Sequence, residues 1–174
     1  KWVDGIEAAG QTMTDAAIAA LTGDGKLVEI YTDSDKDVTD VVVVNYYVDT
    51  VKSITEKNGK TTYKFENATS KYNDEDNTNV IVDGSVDEDD VVTIAKVDGK
   101  YYVYPTTSFT GAQSAKKTSN SGATTTLTIG GDKYVLSTAT GVIAGDFTNS
   151  KDDATYYVDK NGFIVKVADL EKKA

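Results

Sequence analysis

The chain contains no cysteine, no histidine and no arginine; all eighteen of its basic residues are lysine. Thiol nucleophiles, imidazole bases, thiolate or imidazole metal sites and bidentate guanidinium clamps are thereby excluded. Lack of cysteine fits either a reducing cytosol or a bacterial cell exterior. Long hydrophobic runs are missing too: Val41 to Val44, with Tyr46 to Val48 nearby, falls far short of the roughly 20 residues needed to cross a bilayer. Positive charge is in short supply, giving a net charge of −10, which repels phosphate backbones and anionic membranes. Neither nucleic acid nor membrane insertion is expected. The 174 residues suffice for a real core, since a domain of this size buries about 70% of its unfolded surface. Lys1 in place of Met, with no leader after it, suggests a piece of a longer protein.

What is present is strand composition. Threonine and valine make up about a quarter of the chain, Tyr contributes eleven residues, and Pro105 is the single proline. One short helix is expected near the N-terminus, where Thr14 can cap the run Asp15 to Leu21 and Gly23 follows its end. From Leu27 onward, short runs alternate apolar with polar residues between Gly, Asn and Asp clusters, which predicts an all-β chain. The expected strands are Leu27 to Thr32, a long one from Thr39 through Ile54, Thr61 to Phe65, Asn79 to Val82, Val91 to Val97 and Lys100 to Tyr104. Asn58-Gly59 predicts a tight hairpin turn. Val41 to Val44 reads as buried on both faces, and a bulge near Asp49-Thr50 would explain the more polar continuation.

Three pairs of segments repeat in order. Val48 to Ser53 pairs with Phe109 to Ser114 at an offset of 61, Gly59 to Phe65 with Gly122 to Thr128 at 63, and Val97 to Val103 with Val158 to Val165 at 61. The expectation is all-β with one short N-terminal helix, in two tandem small barrel-like (OB-like) or sandwich modules, 1–104 and 105–174, meeting near Pro105.

The acidic and aromatic clusters are the candidate chemistry. Asp33, Asp35, Asp37 and Asp40 have the alternate spacing of a calcium loop, but Val38 stands where the sharp turn needs glycine and no glutamate stands at position twelve to close the shell. A solvated acidic turn is the expectation. Asp74 to Asp76, near Tyr72, and Asp87 to Asp90 could supply paired carboxylates for glycoside hydrolysis, yet they fall on turns, where charge serves solubility and blunts strand edges. Trp2 and the tyrosines at 46, 47, 101, 102, 156 and 157 could stack on sugars. In each Tyr-Tyr pair, however, one ring is expected inward and the other outward. Asn67-Ala68-Thr69 is a glycosylation sequon, and Thr124 to Thr126 could carry O-linked sugar. Gly23 to Gly25 and Gly130-Gly131 are not followed by the lysine-then-hydroxyl pair that ends a phosphate loop. No catalytic, cofactor-binding or metal residue is assigned, and no enzyme activity is expected.

Four segments carry a family resemblance. They are Y-T-D-S-D-K-D-V-T-D-V-V-V-V-N-Y-Y-V (Tyr31 to Val48), S-V-D-E-D-D-V-V-T-I-A-K-V-D-G-K (Ser85 to Lys100), T-L-T-I-G-G-D-K-Y-V-L-S (Thr126 to Ser137) and A-T-Y-Y-V-D-K-N-G-F-I-V-K-V (Ala154 to Val167). Together they resemble the central, non-anchor β region of S-layer-homology domain-containing surface proteins of Gram-positive, clostridia-like bacteria. The aromatic-rich helical anchor module of that family is not among these residues. The resemblance implies a secreted, cell-wall-associated structural role without catalytic residues, with neighbouring domains or copies of the same protein as partners. An adhesion module for wall or host glycans, Ca-dependent in one version, is the alternative.

Overall fold

The computed structural model describes residues 1–8, 14, 16–17, 21, 25–67, 79–122 and 124–170. Thirteen strands fall among them. The first eight are β1 (Trp2–Val3), β2 (Ile6–Glu7), β3 (Lys26–Thr32), β4 (Val38–Lys57), β5 (Lys60–Phe65), β6 (Val80–Val82), β7 (Val91–Val97) and β8 (Lys100–Pro105). The rest are β9 (Thr107–Thr118), β10 (Thr125–Ile129), β11 (Asp132–Val135), β12 (Lys151–Val158) and β13 (Ile164–Asp169). The chain is all-β. A short 3-10 turn, Ala144–Asp146, precedes β12. Most of the helix expected over 15–21 lies outside the described residues. Ala16 and Ala17 are helical, and the Ala17 N–H donates to Thr14 Oγ1 at 3.2 Å, as a cap residue should accept.

Local chemistry accounts for the hairpins. Asn58 (φ 54°) and Gly59 (φ 73°) join β4 to β5, and Asp98 (φ 49°) and Gly99 (φ 76°) join β7 to β8. Both pairs supply the two positive φ angles that a right-twisted hairpin favours.

β1 to β8 form one sheet in the order β2-β1-β4-β7-β8-β6, with β3 and β5 also paired to β4; β9 to β13 form a second, β11-β10-β9-β12-β13. The chain crosses between the sheets at Thr106. Among the described residues neither sheet closes through a ladder, so the expected barrel is replaced by open sheets. The closest approach to closure is a single parallel bridge from Leu136 to Ile164.

The two sheets nevertheless share a plan. β5-β4-β7-β8 is matched by β10-β9-β12-β13. Tyr46, Val48 and Asp49 face Ala95, Thr93 and Val92; Ser108, Thr110 and Gly111, each 62 residues on, face Tyr157, Thr155 and Ala154. The bulges match as well, skipping Lys52 in β4 and Ser114 in β9. β6 then runs parallel to β8 as the Leu136 bridge runs parallel to β13. Letter matching at 61 was thus one residue out of register, and a one-residue slip in a strand inverts every side chain. The bulge likewise lies at Lys52, beyond Asp49-Thr50, because it sits where β4 leaves β7 and begins pairing β5.

Three apolar clusters follow. One fills the first sheet around Val51, Phe65, Ile94 and Val103. A second fills the other sheet around Leu127, Ile129, Phe147, Tyr156 and Ile164. The third, around Tyr46, Val48, Val91, Ala95, Ala139 and Val165, draws on both sheets. β7 is buried on both faces for this reason: Val92 and Ile94 enter the first cluster, Val91 and Ala95 the third. Along β4, Val41 and Val43 are buried whereas Val42 and Val44 are half-buried, so the valine run is fully covered on one face and partly on the other, where Val44 packs on the third cluster.

Candidate functional site

The structure concentrates its unusual features where the second sheet meets β4. β3 stops pairing β4 at Asn45 and β5 begins at Val51. This leaves an interrupted edge whose amides need acceptors. Two are supplied from outside the ladder: Tyr46 N–H donates to Gly25 O at 3.3 Å and Val48 N–H to Thr140 O at 2.7 Å. Thr140 belongs to the loop after β11 and makes a parallel bridge with Tyr47. The second sheet therefore plugs a gap in the first. Close approach demands glycine twice. A Cβ on Gly141 (φ 94°) would lie 2.3 Å from Val48 O, and one on Gly25 would lie 2.3 Å from Ala139 N.

Side chains complete the junction. Lys160 Nζ stands 3.9 Å from the centroid of Tyr104 and 5.6 Å from that of Tyr46, whose rings meet edge to face at 6.1 Å. Burial pushes the Tyr104 phenol above its usual range, and the Lys160 ammonium opposes the shift. Lys166 Nζ reaches Thr50 Oγ1 at 3.3 Å. Asp49, 2% exposed, accepts at Oδ1 from the N–H groups of Thr50 (2.7 Å) and Asn67 (3.0 Å), while Oδ2 has no hydrogen-bond partner. It lines a cavity of about 90 Å³ shared with Gly141 and Lys166, far below the roughly 300–1,000 Å³ of small-molecule sites.

In three of the acidic turns one carboxylate accepts from its own backbone. Asp33 Oδ1 accepts from the N–H groups of Asp35 and Asp37, both at 2.9 Å, and Asp159 Oδ1 accepts from Asn161 and Phe163 in the same spacing, also at 2.9 Å. The two loops are one design, with Lys36 (φ 68°) where Gly162 (φ 88°) stands. Asp90 Oδ2 accepts from Asp87 N–H at 2.8 Å, and the Asp89 amide docks on Val51 O. Asp33, Asp35, Asp37 and Asp40 are not brought together as a ligand set: Asp40 Oδ1 instead accepts from Trp2 Nε1 at 3.1 Å. No group of three or more acidic side chains among the described residues is arranged to hold a metal. Asp74, Glu75, Asp76 and Tyr72 lie outside the described residues.

The tyrosine pairs do not form an exposed sugar platform. Tyr46, Tyr101 and Tyr156 are buried, and Tyr47, Tyr102 and Tyr157 are half-buried, with Tyr157 packed on the junction cluster. Asn67 of the sequon is exposed, while Ala68 and Thr69 are outside the described residues. Thr124, Thr125 and Thr126 are half-buried at the start of β10. Gly130 and Gly131 merely turn β10 into β11. Sequence reasoning missed Gly25, Gly141, Asp49 and Lys160. A glycine flanked by strand formers, Thr140 and Val142, was the available signal for Gly141.

Burial pushes the Asp159 carboxyl above its ordinary range, opposed by the amides of Phe163, Asn161 and Gly162 and then by Lys160. The fold thus binds this proton more tightly than the unfolded chain does. Stability attributable to Asp159 falls as pH rises from the ordinary Asp value through the raised one. Asp159→Asn keeps the Oδ1 acceptor and removes that dependence. Thermal melts across the acid range should show a flatter profile and no loss of Tm at neutral pH. Asp159→Ala, which orphans two amides, should cost about 2 kcal/mol. Equal losses for both variants would refute this account.

Comparisons with protein-family models, with curated proteins and with solved structures find no match to this chain.

Proposed function

We propose that the chain is a non-catalytic structural unit of a secreted, cell-wall-associated surface protein of the S-layer kind, built from two tandem β-modules, 1–104 and 105–174. Each module is read as a small, opened barrel-like or sandwich unit. The observation that carries the reading is the junction. A shared strand plan is repeated at a 62-residue register, and the second sheet mends the interrupted edge of β4 with its own backbone. Such docking fixes the relative orientation of two units, as a protein acting by shape requires. Reactive chemistry is poorly supplied: cysteine, histidine and arginine are absent, and the carboxylates of Asp33, Asp90 and Asp159 are committed to backbone amides of their own turns.

Neighbouring domains or further copies of the protein are the proposed partners, and the bacterial cell exterior its proposed location. Immunogold labelling of intact producing cells with antibody against this chain should decorate the envelope uniformly. Label confined to the cytoplasm of sectioned cells would overturn the assignment.

A further inference from the structure

The part of the first sheet built by β1, β3 and the start of β4 carries a second feature, unrelated to the junction. Trp2 lies opposite Val42, and Asp40 opposite Tyr31. Side chains two apart on a strand share a face, so Trp2, Asp40, Val42 and Tyr31 occupy one surface across three strands. They line an open groove of about 600 Å³ together with Thr32 and Thr39. The groove is in the size range of small-molecule sites. Both aromatic rings are accessible, Trp2 at 37% and Tyr31 at 52%. Both are also tethered: Trp2 Nε1 donates to Asp40 Oδ1 at 3.1 Å, and Tyr31 Oη donates to Glu29 Oε2 at 2.9 Å.

We propose that this groove binds a neutral pyranose oligosaccharide. Tethered rings in water lose little further rotamer freedom on contact, which lowers the cost of binding. Their faces suit the apolar C–H faces of a sugar ring. The strands bearing Trp2 and Tyr31 are two strand spacings apart, about 10 Å, a span for an oligosaccharide and not for a single ring. Asp40, Thr32 and Thr39 offer acceptors to sugar hydroxyls. Among the described residues no lysine lines the groove, and the chain carries a net charge of −10, so an anionic ligand is repelled and an uncharged one is not. The tyrosine pairs play no part, and the proposal stands whether or not the chain is a structural unit of a surface protein.

Trp2 is the single tryptophan, so its emission reports on this groove alone. Titration of the intact chain with cellohexaose, xylohexaose and hexa-N-acetylchitohexaose should give a saturable emission change with at least one of them. Tyr31→Ala, which leaves the reporter in place on an exposed strand, should weaken that binding by about 10-fold or more, with unchanged melting. Asp40→Asn, which keeps an acceptor oxygen, should weaken it less. Dextran sulfate should produce no saturable change. Three results would overturn the proposal: no response to any of the three neutral sugars at millimolar concentration, a response unaffected by Tyr31→Ala, or emission that shifts with protein concentration alone as the chain self-associates.

Discussion

Gly141→Ala is expected to destabilise the protein by about 2 to 6 kcal/mol, because it adds left-handed backbone strain of roughly 1–3 kcal/mol to an overpacking cost of similar size. The new methyl carbon would stand 2.3 Å from the Val48 carbonyl oxygen, at a backbone φ of 94° that side-chain-bearing residues avoid. Relief requires the 138–141 loop to withdraw, which breaks the Val48 to Thr140 hydrogen bond and opens the apolar cluster containing Ala139. Gly59→Ala is the control. Gly59 also has positive φ, but nothing lies within 4 Å of its added carbon, so strain alone acts and about 1 kcal/mol is expected. Urea denaturation of both variants decides the matter. Similar losses would mean that the second sheet does not seat on β4 as closely as described.

Tyr156→Ala should cost about 3–5 kcal/mol and Ile94→Ala about 2–5 kcal/mol. These residues occupy equivalent register positions in the two sheets, both with 0% exposure. Tyr156 stacks on Phe109 at 5.7 Å, Phe109 stacks on Tyr134 at 4.9 Å, and the Tyr156 hydroxyl reaches Gln113 Oε1 at 3.4 Å. Truncation leaves a cavity lined by rings that cannot collapse into it. The two variants report on different cores, yet the junction cluster draws Val91 and Ala95 from one sheet and Val165 from the other. Each substitution should therefore lower a single unfolding transition seen alike by tyrosine fluorescence and far-ultraviolet circular dichroism. A biphasic melt in which only one half responds to each variant would show that the sheets fold independently, and the proposed rigid coupling would be lost.

Both expectations depend on contacts between segments far apart in the chain, 92 residues for Val48 and Thr140 and 74 for Val91 and Val165, and these are what the sequence concealed. Local chemistry was legible. Asn58-Gly59 and Asp98-Gly99 announce their turns, and Val91 to Val97 its strand, because φ preference and β-branching act within a few residues. The acidic clusters were visible but their work was not: a carboxylate on a turn looks solvated in sequence, whereas Asp33 and Asp159 each spend an oxygen on two amides of their own loop. The groove was half legible, since Trp2 stood out as the single tryptophan, but its partner Tyr31 is supplied by register across β4 and by no motif.

Composition alone determined that this is a strand-rich, acidic chain without thiol, imidazole or guanidinium chemistry, because those properties belong to residue types and survive any arrangement. Which glycines are indispensable, which faces of β4 and β7 meet a second layer, and how far one sheet is offset from the other were decided only in three dimensions. Strand periodicity is two, so it marks alternate faces without saying which is covered, and backbone hydrogen bonds between distant edges leave no trace in the identity of the side chains they join.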